Sequence, residues 1–220
     1  MHPIRSVIFD LDGTLADTAG EIALALERAF AEFGLVALPE AAVREMIGRG
    51  VATLVDRALE RIGSGIDAGA LVERFEAHYA STVGTTAQLY PSVHDGLARL
   101  AERGLALALV TNKPRYFTER LLDRLQVRGV FVAVVAGDDG WPKKPAGDML
   151  VAACAQMASR VDETLMLGDS ANDVLAARAA GCRVWCVPYG YNEGRPVESL
   201  ACDRIVASVD AAAGLVLAAG

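Results

Sequence analysis

Four short polar segments of this 220-residue chain carry the side chains that could do chemistry. Asp10-Leu11-Asp12-Gly13-Thr14 sets two carboxylates two residues apart, beside a hydroxyl and a glycine that lets the main chain come close to a ligand. Thr111-Asn112-Lys113-Pro114 offers a hydroxyl and an amide able to hydrogen-bond an oxyanion. The run from Asp138 to Pro145 brings two adjacent lysines, Lys143 and Lys144, and Gly168-Asp169-Ser170-Ala171-Asn172-Asp173 is a second acidic cluster. Singly, each has an ordinary reading as turn residues, solvated lysines or acids that favour a helix N-terminus.

Together they say more. If the segments converge, Asp10, Asp12, Asp169 and Asp173 share a small volume, and each like-charged pair about 4 Å apart costs on the order of 4 kcal/mol at an effective dielectric of about 20. A cation must then sit among them. No histidine cluster and no Cys-x-x-Cys pair accompanies the acids, so the donors are all oxygen, which favours Mg²⁺ over zinc or copper. Magnesium beside a lysine and hydroxyl donors is equipment for moving a phosphoryl group, whose charge lies on oxygens that need cations and donors. Asp10, Asp12, Thr14 and Glu21 also fall on the ligand positions of a calcium loop. Leu15, however, stands where that loop requires glycine, and a β-like run precedes it where a helix belongs.

Something must bring segments this far apart in sequence to one place. Apolar runs at Ile4-Phe9, Leu105-Val110, Phe131-Val135, Leu165-Leu167 and Val184-Val187, with a weaker one at Arg204-Val206, alternate with helical patterns. That alternation predicts an α/β fold: an open, Rossmann-like parallel sheet with helices on both faces. The first four runs end in polar residues, and strand ends of such a sheet are where ligands bind. Between Asp17 and Gln88 four helical stretches follow one another without a strand, which predicts an inserted all-helical unit. Its first helix is read from Thr18-x-x-Glu21 as a capping box to Gly34 as a stop, with Ile22, Leu26, Ala29, Phe30 and Phe33 as its apolar stripe. Leu54, Val55, Ala58, Leu59 and Ile62 make a second stripe, and Leu71, Phe75 and Tyr79 a third. The expected boundaries are 1–15 with 90–220 for the sheet domain and 16–89 for the helical one.

Composition narrows the partners. With 53% hydrophobic residues the chain can bury a sizeable core, and a formal charge of −7 without a basic run argues against nucleic acid. No apolar segment reaches the ~20 residues needed to span a bilayer, so no membrane partner is expected. The four cysteines (Cys154, Cys182, Cys186 and Cys202) read as reduced thiols, and the expected setting is cytoplasmic.

Asp10-x-Asp12-Gly13-Thr14, Thr111-Asn112, Lys144-Pro145 and Gly168-Asp169-Ser170-x-Asn172-Asp173 resemble, in order, the four motifs of the haloacid dehalogenase-like hydrolases. The helical insert is similar to the cap of that superfamily's first subclass. Ile22-Ala23-Leu24-Ala25-Leu26, Ile47-Gly48-Arg49-Gly50 and Gly190-Tyr191-Asn192 are similar to its branch acting on 2-phosphoglycolate. One departure is Gly147, where members often carry a second proline after Pro145.

The resemblance implies roles. Asp10 would be the nucleophile that becomes an aspartyl phosphate, and Asp12 the acid that protonates the leaving alcohol and then the base that activates water. Thr111 and Asn112 would hold phosphoryl oxygens, with Gly13 and Thr14 beside the substrate, and Lys144 would balance charge. Asp10, the Asp12 carbonyl and Asp169 would hold Mg²⁺. Asp173 would act through metal-bound water or by orienting Lys144. Dehalogenases lack the second aspartate, because halide leaves without a proton, so Asp12 argues for phosphate esters. Arg49, in a glycine-flanked turn of the insert, is the candidate for contacting a small anionic substrate.

The expectation is thus a Mg²⁺-dependent phosphatase, monomer or homodimer, acting on a small phosphorylated metabolite, foremost 2-phosphoglycolate. A sugar phosphate or another small phosphomonoester, or a mutase using the same phosphoenzyme, is the alternative. A phospho-accepting receiver domain uses similar residues. It would, however, carry its acid pair on the first strand, its phosphorylated aspartate on a later one, and no helical insert.

Overall fold

A computed structural model describes residues 3–218 of the chain. Six strands form one parallel sheet: β1 (Ser6–Phe9), β4 (Ala106–Val110), β5 (Ala133–Val135), β6 (Thr164–Gly168), β7 (Arg183–Cys186) and β8 (Arg204–Ile205), in the order β5-β4-β1-β6-β7-β8. All six strand expectations are met within a residue or two. A further antiparallel pair went unanticipated, β2 (Ala16–Asp17) with β3 (Gln88–Leu89), and it closes the base of the insert. Two residues per strand are too few to show an apolar period.

The sheet is buried on both faces, and side chains alternate between them as the pleat requires. Val7 and Phe9, Leu107 and Leu109, and Leu165 and Leu167 enter one core, while Ile8, Ala108, Val110 and Met166 enter the other. The first core is completed by α5 (Val93–Glu102), α6 (Arg115–Arg124) and α9 (Val209–Ala218), and the second by α7 (Asp148–Gln156) and α8 (Ala171–Ala180). Truncating a fully buried residue here, such as Leu109→Ala, costs roughly 2–5 kcal/mol.

The insert comprises α1 (Ala19–Glu32), α2 (Glu40–Arg44), α3 (Val51–Ile62) and α4 (Ala68–Thr82), and all three expected stripes face inward, Phe33 and Ile62 only partly buried at their ends. Gly34 stops α1 as expected, at φ +68°. The capping box at its start does not form. Thr18 makes no side-chain cap, and Glu21 turns inward instead, accepting from the Tyr79 hydroxyl (2.8 Å) and from the main-chain N–H groups of Gly84 (2.8 Å) and Ala87 (3.3 Å). A carboxylate that ties α4 to the turn that follows it through three groups outcompetes a single helix-end bond. The insert's core is continuous with the sheet's first core, because Phe75 and Tyr79 belong to the same apolar cluster as Phe9 and Phe117.

Gly147, the departure in the third polar segment, is explained by packing. A Cβ there would lie 2.7 Å from the main-chain N of Ala180, so α7 and α8 approach too closely for a side chain.

Candidate active site

The order in which strands are added to the sheet reverses about β1: β4 and β5 lie to one side, and β6, β7 and β8 to the other. The C-terminal ends of β1, β4 and β6 therefore frame the crevice where open α/β sheets bind ligands. Asp10 leaves β1, Thr111 leaves β4 and Asp169 leaves β6, and all three are buried. Carboxylate oxygens of Asp10, Asp169 and Asp173 lie within 4.8 Å of one another.

Lys144 is the counter-charge of this cluster. Its ammonium, almost wholly buried, donates to Asp173 Oδ1 (2.7 Å) and the Val110 carbonyl (3.0 Å) and pairs with Asp10 Oδ1 at 2.8 Å. Burial alone would lower the lysine's pKa, but Asp10 and Asp173 hold it above its ordinary value. Lys143, the neighbouring candidate, is exposed.

One ammonium does not neutralise three acids. Burial, the Asp173 and Asp169 charges and only partial relief from Lys144 push Asp10 up to about 8, and burial with the Asp173 charge pushes Asp169 up to about 7. With its acids ionised the site carries surplus negative charge, all of it on oxygen donors, and these suit a hard divalent cation. Asp169 is built to serve one. Its Oδ1 accepts from the Thr14 hydroxyl (2.7 Å) and its Oδ2 from the Tyr191 N–H (2.8 Å), which leaves a lone pair on each oxygen.

Asp173 is built otherwise. Its Oδ2 takes the N–H groups of Asp169 (3.2 Å) and Ser170 (3.1 Å) and the Ser170 hydroxyl (2.9 Å), while Oδ1 takes Lys144. Three donors saturate Oδ2, and Oδ1 faces the lysine. Of the two roles open to it, orienting Lys144 is the one these bonds support, and Oδ2 closes the first turn of α8 as well.

Three expected contacts resolve differently. Thr14 is wholly buried and its hydroxyl is spent on Asp169, so it aligns that carboxylate and does not face the cleft. Gly13, at φ +91°, leaves room for Asp169 rather than for a ligand, since a Cβ there would lie 2.6 Å from Asp169 Oδ2. Arg49 is absent from the cleft lining. Its guanidinium pairs at 2.7 Å with Glu193, which also takes Arg57 at 2.7 Å. That carboxylate, on the sheet-domain side, draws Arg49 and Arg57 to the outer seam.

Asn112 remains at the cleft wall, but its amide is engaged. Nδ2 donates to the Gly48 carbonyl (2.9 Å) and the Lys144 carbonyl (2.8 Å), and Oδ1 accepts from the Lys144 N–H (2.9 Å). It clamps the lysine loop and ties it to the insert, so what it offers a phosphoryl oxygen is main chain.

Around Asp12 lie residues that the sequence reading passed over. Its Oδ1 accepts from the Thr18 hydroxyl (2.8 Å), and both its oxygens accept from Lys113 Nζ at 3.0 Å. Tyr191 OH accepts from the N–H groups of Thr18 (2.8 Å) and Ala19 (3.1 Å) and donates to Asp17 Oδ1 (2.9 Å), fixing the turn that carries Thr18. Thr18 had been read as a helix cap, and Lys113 adjoined a motif without belonging to it. The position of Lys113, directly after Thr111-Asn112 at a strand end, was the available signal.

These groups share one cleft between the sheet and the insert. Asp10, Asp12, Thr111, Asn112 and Lys113 form its polar floor, and Ile22, Ile47, Val51, Leu54 and Phe75 of the insert its apolar roof. Two carboxylates two residues apart and a buried ammonium thus meet under an apolar cover. Such a site can take up a phosphoryl group and protonate what leaves.

Known proteins agree with this geometry. The family model described as haloacid dehalogenase-like hydrolase matches residues 7–187. A phosphoglycolate phosphatase of Nitrosospira multiformis is 42% identical over 97% of this chain and 96% of its own length. Another, from Yersinia pseudotuberculosis, is 41% identical over 93% and 89%. Among solved structures, one described as a predicted phosphoglycolate phosphatase from Haemophilus somnus 129pt superimposes with a TM-score of 0.93 at 27% identity, covering 98% of this chain and 99% of that one.

Proposed function

Since this chain belongs to the haloacid dehalogenase-like hydrolases and is a phosphoric monoester hydrolase, we propose that it hydrolyses 2-phosphoglycolate to glycolate and phosphate by way of an aspartyl phosphate. The observation that carries the reading is the setting of Asp10: buried at the crevice, 2.8 Å from Lys144 and on the same cleft wall as Asp12.

An Asp10 oxygen attacks phosphorus, the bond from phosphorus to the ester oxygen breaks, and Asp12 delivers its proton to that oxygen. Asp12 then takes a proton from water, the water oxygen attacks phosphorus, and the Asp10 carboxylate is released with inorganic phosphate. Lys144 neutralises charge on Asp10 throughout, held in place by Asp173 and by the Asn112 clamp. The Thr111 hydroxyl and the Asn112 main chain receive phosphoryl oxygens, and Thr18 and Lys113 keep Asp12 aimed at the leaving group. Asp10, Asp169 and the Asp12 carbonyl would hold Mg²⁺, which supplies charge screening for the approach of a carboxylate to an anionic phosphoryl group.

Residues 16–89 act as a cap over a catalytic domain of 1–15 and 90–220, and the β2–β3 pair, which brings both ends of the insert together, supports that division. We place the enzyme in the cytoplasm, in keeping with its four free thiols. No helix among the described residues is long and apolar enough to cross a membrane.

The test is turnover of a panel of phosphomonoesters, including sugar phosphates, with and without Mg²⁺. The expected result is Mg²⁺-dependent release of phosphate, fastest from 2-phosphoglycolate. Turnover of that ester no faster than of generic ones would remove the substrate assignment, and no turnover of any ester would remove the chemistry.

A further inference from the structure

Lys113 orients Asp12, a task it shares with Thr18 and one that does not by itself call for a second buried ammonium. It is 6% exposed, and its Nζ stands 3.0 Å from both oxygens of Asp12 and 4.8 Å from the centre of the Tyr79 ring. That ring is held against Phe117 (4.8 Å) and Phe75 (5.6 Å) and by its hydroxyl on Glu21, so it is a fixed platform for the ammonium. The lysine's main chain is fixed too: its N–H donates to the Thr111 hydroxyl (3.2 Å), and its carbonyl accepts from Gly137 (2.9 Å) and Thr118 (3.3 Å).

Among the described residues that line the cleft, Lys113 is the sole base. Lys144 is taken up by Asp10, Asp173 and Val110, and Arg49 and Arg57 by Glu193 at the outer seam. Beyond the phosphoryl position the cleft is walled by apolar side chains. Lys143, whose ammonium stands beside Gly50, is exposed at the rim, so a second negative charge on the substrate meets Lys113 as the ammonium inside the cleft.

Distance bounds where that charge can be. A group that protonates the leaving oxygen lies about 3 Å from it. An ammonium a further 3.0 Å on, in contact with both Asp12 oxygens, reaches an acceptor borne one carbon away from that oxygen. We propose that Lys113 is the specificity-determining residue of the cleft, receiving the carboxylate of a phosphomonoester whose ester carbon bears that carboxylate. The inference rests on the 2-phosphoglycolate reading and names the residue that enforces it. Asp12 and the substrate carboxylate share the ammonium, whose three N–H groups allow both contacts.

The experiment compares kcat/KM for 2-phosphoglycolate with kcat/KM for ethyl phosphate, which keeps the two-carbon skeleton and lacks the carboxylate, using the full chain with Mg²⁺. Lys113→Met is measured beside the unaltered protein. Lys113→Gln, which retains a donor for Asp12 without the charge, serves as the second variant should the first fail to fold. Rates on both substrates fall through the loss of a partner for Asp12, so the readout is their ratio. The ratio is expected to drop about 100-fold in either variant, carried by KM, and to recover in part in Lys113→Arg. An unaltered protein with a ratio near one would overturn the substrate reading and this inference together. A high ratio that survives in the variants would overturn this inference alone.

Discussion

The Lys144 ammonium lies 2.7 Å from Asp173 Oδ1, and the other oxygen of that carboxylate is saturated by the first turn of α8. A helix N-terminus thereby fixes the position of a lysine that serves the end of a different strand. Asp173→Asn leaves an amide that cannot match both sets of donors, so Lys144 loses its anchor. We expect kcat to fall about 10- to 100-fold while half-saturation by Mg²⁺ shifts much less. Titrating Mg²⁺ at saturating substrate checks this, and a loss confined to metal affinity would make Asp173 a direct ligand.

Asp10→Asn should abolish turnover, because an amide cannot accept the phosphoryl group in the same way. It also removes one of three crowded acids, so the metal-free variant should melt at the same temperature as the parent protein or higher at pH 8. Activity assays with thermal melts of both proteins decide the point, and retained activity would mean that the nucleophile is another residue.

Metal and pH are linked through Asp10 and Asp169, which rise from about 3.8 to about 8 and about 7 in the metal-free fold. A carboxyl whose folded pKa exceeds its unfolded one stabilises the fold fully below the unfolded value. That contribution is lost as pH climbs through the folded value. The metal-free protein should therefore lose stability between about pH 4 and 8, and a divalent ion should restore it where the acids are ionised. The rise in Tm on adding Mg²⁺ should grow steadily from pH 5.5 to 8.5. An increment independent of pH would separate the ion from these carboxylates.

Thr18→Val deletes one of the two donors on Asp12 and preserves side-chain shape. Asp12 should lose aim rather than identity, with kcat reduced on the order of tenfold and little change in KM. Steady-state kinetics on one substrate suffice, and an unchanged kcat would leave Lys113 as the sole orienting group.

Arg49 and Glu193 form a partly exposed pair on the outer seam, of a kind worth about 0.2–1 kcal/mol. Arg49→Ala and Glu193→Ala should consequently both change KM little, with the glutamate variant costing more stability because it releases Arg57 as well. A large rise in KM seen only with the arginine variant would return Arg49 to the substrate.

The chain alone determined the four chemical segments, the strands that carry three of them and the helical insert. Each of those is local: a run of apolar residues, a stripe of period 3.6, an acid pair two residues apart. Asp10, Asp12, Lys144 and Asp169 were legible for the same reason, since each stands beside the end of an apolar run or in a motif of its own. What each polar atom does with its lone pairs was decided only in three dimensions. Thr14 was read toward substrate and serves Asp169, Asn112 clamps a loop 32 residues away, and Glu21 left a capping box for Tyr79. Hydrogen bonds of that kind are settled by competition among donors that meet through folding, and no spacing along the chain records which of them arrives first. Lys113 is the clearest case: one more lysine in a turn until the insert lowers Tyr79 onto it and the sheet sets Asp12 at its tip.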